Sequence, residues 1–325
     1  MSETPRAART LALGLAYEGT AYHGFGIQPD RTTVQEVLET ALAACLAERV
    51  RVTAAGRTDA GVHATGQVVT FVTTGRLAAQ DIVRAANAFL PEDVRVTWGA
   101  EMPAGFDARR SALRRHYRYC IWNDAAPDLW RRRWTWHVPD RLDERAMDVS
   151  SGDLVGRRDF ASFAGQSARE PEGRTTVRTV ERATWHRDGP TLTFDVTADA
   201  FLRHMVRGVV GTLVQVGRGK LGRNEFGAIV EATDRRRAGP NAPSHGLTFV
   251  GVEYPAHFEA HAAAAGQAGR GRPGGAATLT DRLSKTLAGR DARPTHLSSG
   301  AAGVPQGIVP RGMGAWGTAR GGGAQ

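Results

Sequence analysis

Between Ala54 and Val69 the chain reads AAGRTDAGVHATGQVV, a loop carrying two glycines that runs straight into an alternating, β-branched segment. Gly56 and Gly61 open backbone angles closed to other residues, so this loop can bend sharply and bring its main chain close to another molecule. The segment after it reads as a strand, and the bend of the loop would set Asp59 in a cleft rather than in a packed core. Spacing alone leaves two roles for Asp59. It is a turn residue hydrogen-bonding its own backbone, or a reactive carboxylate two residues after a cation, Arg57.

The rest of the chain repeats one plan twice. Leu11 to Tyr17 reads as a strand, Val34 to Ala47 as a helix with apolar residues at helical spacing, and Gln67 to Thr73 as an alternating strand. Asp81 to Phe89 follows as a helix stopped by Pro91, then Val94 to Trp98 as a strand. In the second half His116 to Trp122 reads as a strand and Glu144 to Val155 as a helix. Val177 to His186 and Thr191 to Thr197 make a hairpin turning at Asp188-Gly189-Pro190. A long helix spans Phe201 to Val216, a shorter one Glu225 to Ala232, and Leu247 to Tyr254 closes as a strand. The pattern is α+β and lacks the regular βαβα alternation of a doubly wound fold. The organisation expected is a flexible stretch at 1–9, an N-terminal lobe at 10–104, a C-terminal lobe at 105–255 and a tail at 256–325. The tail is rich in Gly, Ala and Arg and is expected to be disordered, apart from a short helix over Leu279 to Leu287, because it offers too little apolar area to offset its ordering entropy.

Charge narrows the class of partner. The 325 residues carry a net charge of +9, which points to a polyanion. From Ala256 onward eight Arg or Lys stand against three Asp or Glu, so more than half the excess belongs to the tail. The remainder must work through local clusters: Arg109, Arg110, Arg114, Arg115 and Arg118, then Arg131, Arg132 and Arg133. Only Lys220 and Lys285 are lysines; arginine's planar fork suits phosphate and bases, though a G+C-rich genome produces the same bias. Cys45 and Cys120, far apart and without a nearby Cys/His cluster, argue against zinc and disulfides and fit a reducing compartment, and the first apolar run is too short for a leader or a membrane span. The location expected is cytoplasmic.

Gly56-Arg57-Thr58-Asp59-Ala60-Gly61-Val62-His63-Ala64 resembles the G-R-T-D-A-G-V-H-A signature of the TruA family of tRNA pseudouridine synthases. Further likenesses follow in the family's order: YEGTAYHG from Tyr17, FDARRSALRRHYRY from Phe106, DFASF from Asp159, and FLRHMVR from Phe201 followed by Val210-Gly211. Together they cover roughly residues 10 to 255. The resemblance implies two α+β lobes whose mixed or antiparallel sheets, flanked by helices, merge around a central RNA-binding cleft. It further implies isomerisation of uridine to pseudouridine in the anticodon stem-loop of tRNA at positions 38, 39 and 40, and a homodimer.

That reaction breaks the bond from ribose C1′ to uracil N1, turns the base and rejoins C1′ to C5, with no redox change, phosphate transfer or net hydrolysis. It calls for no metal, nicotinamide or nucleotide cofactor, and the chain has no Gly-Lys-Ser/Thr loop. By the resemblance Asp59 is the nucleophile, attacking the sugar or adding to the uracil ring. Arg207 is its cationic partner, since an opposite charge favours the ionised carboxylate. Tyr117 stacks on the flipped base with its hydroxyl toward the reacting ring. Period-two alternation puts Tyr117 and Tyr119 on one face and Arg118 on the other, with Tyr119 expected to pack against a helix. In the helix over Phe201 to Val216, Arg203 and Arg207 stand one turn apart, opposite an apolar face of Leu202, Met205, Val206, Val209, Val210 and Leu213. Arg57, Arg109, Arg118, His63 and His204 are expected to contact RNA.

Two departures from the family pattern bear on substrate contacts. Gly24-Phe25-Gly26-Ile27-Gln28 stands where G-W-Q-x-Q is usual, and Asp199 where Asn is common, bringing a negative charge toward the phosphates. Two rival functions compete. A binding protein on a decayed synthase fold would have lost Asp59, Tyr117 or Arg207, and all three are present. A phosphate cradle over Gly56 to Gly61 would set Asp59 against its own ligand and lacks the P-loop lysine.

Overall fold

The computed structural model describes residues 7–165 and 175–268. The first half holds β1 (Arg9–Tyr17), α1 (Val34–Leu46), β2 (Thr53–Ala54), β3 (His63–Thr73), α2 (Ala79–Phe89) and β4 (Val94–Met102). The second holds β5 (Arg114–Trp122), β6 (Trp136–His137), α3 (Glu144–Ser151), β7 (Gly156–Asp159), β8 (Val177–Asp188), β9 (Thr191–Ala198), α4 (Met205–Gly217), α5 (Arg223–Ala232), β10 (Leu247–Glu253) and α6 (Ala256–Ala268).

All these strands join one mixed sheet in the order β4-β1-β3-β10-β5-β9-β8-β7, with β2 added to β3 and β6 to β5. The halves meet where β10, late in the chain, lies between β3 and β5. Its parallel contact with β3 is short, Thr248 facing His63 and Phe249 facing Ala64, while its antiparallel contact with β5 runs from Leu247 opposite Tyr119 to Glu253 opposite Arg114. Burial alternates cleanly along β5, where Tyr117, Tyr119 and Ile121 turn inward, as period-two side-chain placement requires.

Helix α2 packs against α1 and β4; α3, α4 and α5 pack together over the second half. The Thr33 hydroxyl caps α1 by accepting from Glu36 N, and Val34, Leu38, Ala41 and Leu42 form its buried stripe. Helix α4 differs. It is buried nearly all round, and Gly208 and Gly211 let the segment 239–242 lie directly against it. A Cβ at 211 would run into the Pro240 carbonyl oxygen, so only glycine permits this contact.

Three expectations need correcting. The helix thought to start at Phe201 starts at Met205, because His204 takes a left-handed conformation with φ of 61° and breaks the helical path. Arg203 therefore precedes the helix instead of sharing a face with Arg207. Folded structure also runs past 255: α6 occupies 256–268, Phe258 sets its ring 4.8 Å from Phe106, and Ala262 is buried. At the other end Arg9 already belongs to β1 and pairs with Glu101, so the start of the folded chain moves back from 10 to 9. Residues 1–6 and 269–325, including the short helix expected over Leu279 to Leu287, lie outside the described residues.

Candidate active site

The loop between β2 and β3 is held by the backbone of its neighbours. Phe25 N donates to Thr58 O at 3.0 Å, and Gly61 N to Tyr22 O at 3.2 Å. Underneath, the Tyr17 hydroxyl and Thr58 Oγ1 lie 2.8 Å apart and Gln67 Nε2 donates to Gly56 O at 2.7 Å. Burial pushes the Tyr17 phenol up to about 12, so it stays a neutral hydrogen-bonding post. The two glycines serve differently. Gly61 has φ of +77° and needs glycine's freedom, whereas Gly56 makes room for Phe249, whose ring would lie 3.3 Å from an added Cβ.

This places Asp59 on the wall of a cleft of about 1040 Å3. Its Oδ2 lies 3.6 Å from Arg207 Nη1 and 3.6 Å from His204 Nε2, and its side chain keeps 23% of its surface exposed. The carboxylate thus faces the Arg207 cation and the His204 ring across the cleft, and its main-chain oxygen serves the turn, accepting from Val62 N at 3.1 Å. Arg207 is itself fixed: Nε donates to Ala242 O at 2.8 Å, and Ala242 N returns a bond to Arg207 O at 2.9 Å. The left-handed turn at His204 aims its ring back toward Asp59, and Gly165 lies so close that a Cβ there would be 2.5 Å from Nδ1. Burial lowers the His204 pKa, Asp59 raises it and Arg207 lowers it again, leaving it below the ordinary value.

Tyr117 forms the opposing apolar wall. It is 8% exposed, edge-on to Phe201 at 5.0 Å and to Phe249 at 5.1 Å, and its phenol is raised strongly by burial and then by Tyr17 and Asp59. Arg51, Arg57, Arg109, Arg115, Arg178, Arg203 and Arg207 line the cleft against one carboxylate, Asp59. Low-dielectric walls concentrate such a field, which suits a polyanion. Arg57 is exposed, has no acidic partner among the described residues, and approaches within 3.3 Å of where a Cβ on Gly26 would stand.

Two expected RNA contacts lie elsewhere. His63 is 1% exposed and braces three loops: Nδ1 accepts from Gly19 N at 3.0 Å, Nε2 faces Arg133 O at 2.9 Å and His245 O at 3.1 Å, and Trp134 covers its ring. Arg118, on the face of β5 away from Tyr117, pairs across the strands with Asp195 at 2.8 and 3.1 Å. Both are structural. Tyr119 is fully buried, donates to Pro243 O and packs on the single turn at Ser244–Gly246. Asp199 spends its carboxylate on Thr179 N and Ala200 N, so its charge is engaged locally. Among the described residues, no three His, Cys, Asp or Glu side chains gather as a metal would need, and no helix is long and apolar enough to cross a membrane.

A carboxylate facing an arginine and a histidine inside an arginine-lined cleft beside a tyrosine is the equipment of an enzyme that works on a polyanionic, aromatic substrate. The comparisons with known proteins agree. A family model described as tRNA pseudouridine synthase matches residues 15–109 and 152–255, both halves of the sheet. Proteins named tRNA pseudouridine synthase A are similar over most of the chain. That of Chloroflexus aurantiacus is 46% identical over 254 residues, 76% of this chain and 89% of its own. That of Pelobacter propionicus is 40% identical over 246 residues, covering 76% and 100%, and that of Moorella thermoacetica 43% over 248, covering 75% and 99%. The chain belongs to the tRNA pseudouridine synthase family.

Proposed function

We propose that this enzyme isomerises uridine to pseudouridine in the anticodon stem-loop of tRNA, at the three neighbouring positions named above, with Asp59 as nucleophile. The observation that carries the reading is the lone carboxylate among seven arginines, oriented by Arg207 and His204 and facing a buried aromatic wall. The flipped uracil stacks on Tyr117, and Arg57 and Arg109 hold flanking phosphates. Attack at ribose C1′ and addition to the uracil ring both begin from Asp59 Oδ. Either route frees N1, lets the base turn within the cleft and forms the C1′ to C5 bond, while the C5 proton leaves and N1 gains one.

The reading extends to a cytoplasmic homodimer. Neither Cys45 nor Cys120 is in a disulfide, in keeping with a reducing compartment, and Leu129, Trp130 and Trp134 are exposed in the loop between β5 and β6, an apolar patch fit for a second copy. Asp59→Asn is the deciding variant. It keeps shape and loses charge, so tRNA affinity should stay within about threefold while pseudouridine formation drops by at least about 1000-fold. Turnover within about tenfold of the parent enzyme would remove Asp59 from the chemistry.

A further inference from the structure

A guanidinium carries five N–H donors in a rigid plane. In Arg115, at the start of β5, all five are engaged and every acceptor is a main-chain carbonyl. Nε and Nη2 donate to Ala55 O at 3.3 and 3.2 Å, and Nη2 also donates to Arg109 O at 2.6 Å. Nη1 donates to Ala112 O at 3.1 Å and to Asp199 O at 2.6 Å. Three segments distant in sequence converge on one side chain: the loop leading to Asp59, the turn that presents Arg109, and the turn from β9 into Phe201.

Two features set this apart from an ordinary surface arginine. No carboxylate among the described residues pairs with it, and Asp199, whose main-chain oxygen it holds, gives its Oδ1 to Thr179 N and Ala200 N. A largely buried charge without a counter-ion is costly and persists only where its hydrogen bonds are complete. The bonds are also aimed at the working part of the fold. Ala55 N is already committed to Val68 O at 2.8 Å, and the next carbonyl, that of Gly56, is taken by Gln67, so Ala55 O is the remaining point at which the loop's entry can be fastened to the wall carrying Tyr117.

We propose that Arg115 is a positioning residue for the isomerisation, fastening the Asp59 loop, the Arg109 turn and the Phe201 turn into one register. The proposal rests on Asp59 being the reactive group. Lysine at this position keeps the charge but offers three donors on one nitrogen, which cannot span carbonyls spread around a planar fork. The loop bearing Asp59 then shifts relative to Tyr117, and small misplacement costs catalysis more than binding.

The test is steady-state kinetics and thermal unfolding of Arg115→Lys beside Arg187→Lys. Arg187 is a half-buried guanidinium remote from the cleft, bonded to Glu144, Asn123 and Leu142 O. For Arg115→Lys, kcat should fall at least about tenfold with KM within about threefold, while Arg187→Lys shifts unfolding similarly and leaves kcat unchanged. Retained kcat in Arg115→Lys, an equal kcat loss in Arg187→Lys, or an Arg115→Lys protein already unfolded at the assay temperature would each overturn the proposal. Asp59→Asn separates the two readings. If it stays active, the assignment of Asp59 falls and this proposal with it; if it is inert while Arg115→Lys is unimpaired, only the fastening role is lost.

Discussion

Asp59 is bonded to its own loop through its main-chain oxygen, but its carboxylate faces Arg207 and His204, so the site depends on residues 140 or more positions away in the chain. Arg207→Lys loses both the fork and the bond from Nε to Ala242 O. Its kcat should fall by about 10- to 100-fold in a tRNA modification assay with the fold intact, and unchanged kinetics would place Arg207 outside the chemistry. Tyr117→Phe keeps the ring wedged edge-on against Phe201 and Phe249, so affinity should hold while turnover slows. Tyr117→Ala also gives up stacking of roughly 1 to 3 kcal/mol, read as weaker binding of the substrate stem-loop. Asp59, Arg207 and Tyr117 could be singled out because an unbroken motif surrounds each, and the fold brings all three to one cleft. The bonding of His63 and Arg118 could not be read locally because it is non-local: two carbonyls 70 and 182 positions from His63, and a carboxylate 77 from Arg118. Arg115 stood in view among the arginines, but its acceptors are backbone oxygens, which carry no side-chain signature.

At the scale of elements, alternation and helical spacing located the strands and helices to within a few residues, and the errors fall where one residue breaks the local pattern. Phe201 and Leu202 continue the apolar spacing of α4 backwards, so the left-handed turn at His204 could not be read from it. That turn is what sends Arg207 and His204 to the same oxygen of Asp59. Gly211 holds the other side of α4 against Pro240. Gly211→Ala is expected to lower stability by about 1 to 3 kcal/mol in chemical denaturation and to reduce turnover more than its unfolding alone explains, since Ala242 in the displaced segment anchors Arg207. An unfolding midpoint equal to the parent's would show that the contact yields freely. The same alanine at Gly105, where nothing lies within 4 Å, tests backbone strain without crowding.

Across the whole molecule, burial depresses the pKa of His63, His116, His204 and His245. The unfolded chain, with histidines near 6.5, then binds more protons than the folded one, so stability is complete above that value and declines as pH falls below it. Thermal midpoints at pH 7.5 and 5.5 should differ by several degrees, lower at 5.5; a flat profile would mean these histidines titrate freely. The folded unit ends beyond Tyr254. Removing residues from Ala256 onward strips Phe258 from Phe106 and should cost about 2 to 3 kcal/mol, visible as an earlier thermal transition. The sequence masked this because α6 is alanine-rich and carries a single large apolar anchor. Sedimentation of the parent chain and Trp130→Glu tests the dimer: the substitution should yield monomers, and a parent that sediments as a monomer would leave Trp130 for another use.

The place of β10 has a consequence for how the enzyme is made. Asp59 and Tyr117 leave the ribosome early, yet the strand that sits between theirs is among the last parts of the sheet to be synthesised. Until it inserts, β3 and β5 each present an open edge and the cleft has no floor. A nascent or prematurely terminated chain therefore cannot act on RNA, however much of its catalytic sequence is present, and its two exposed edges mark it for chaperone capture or degradation.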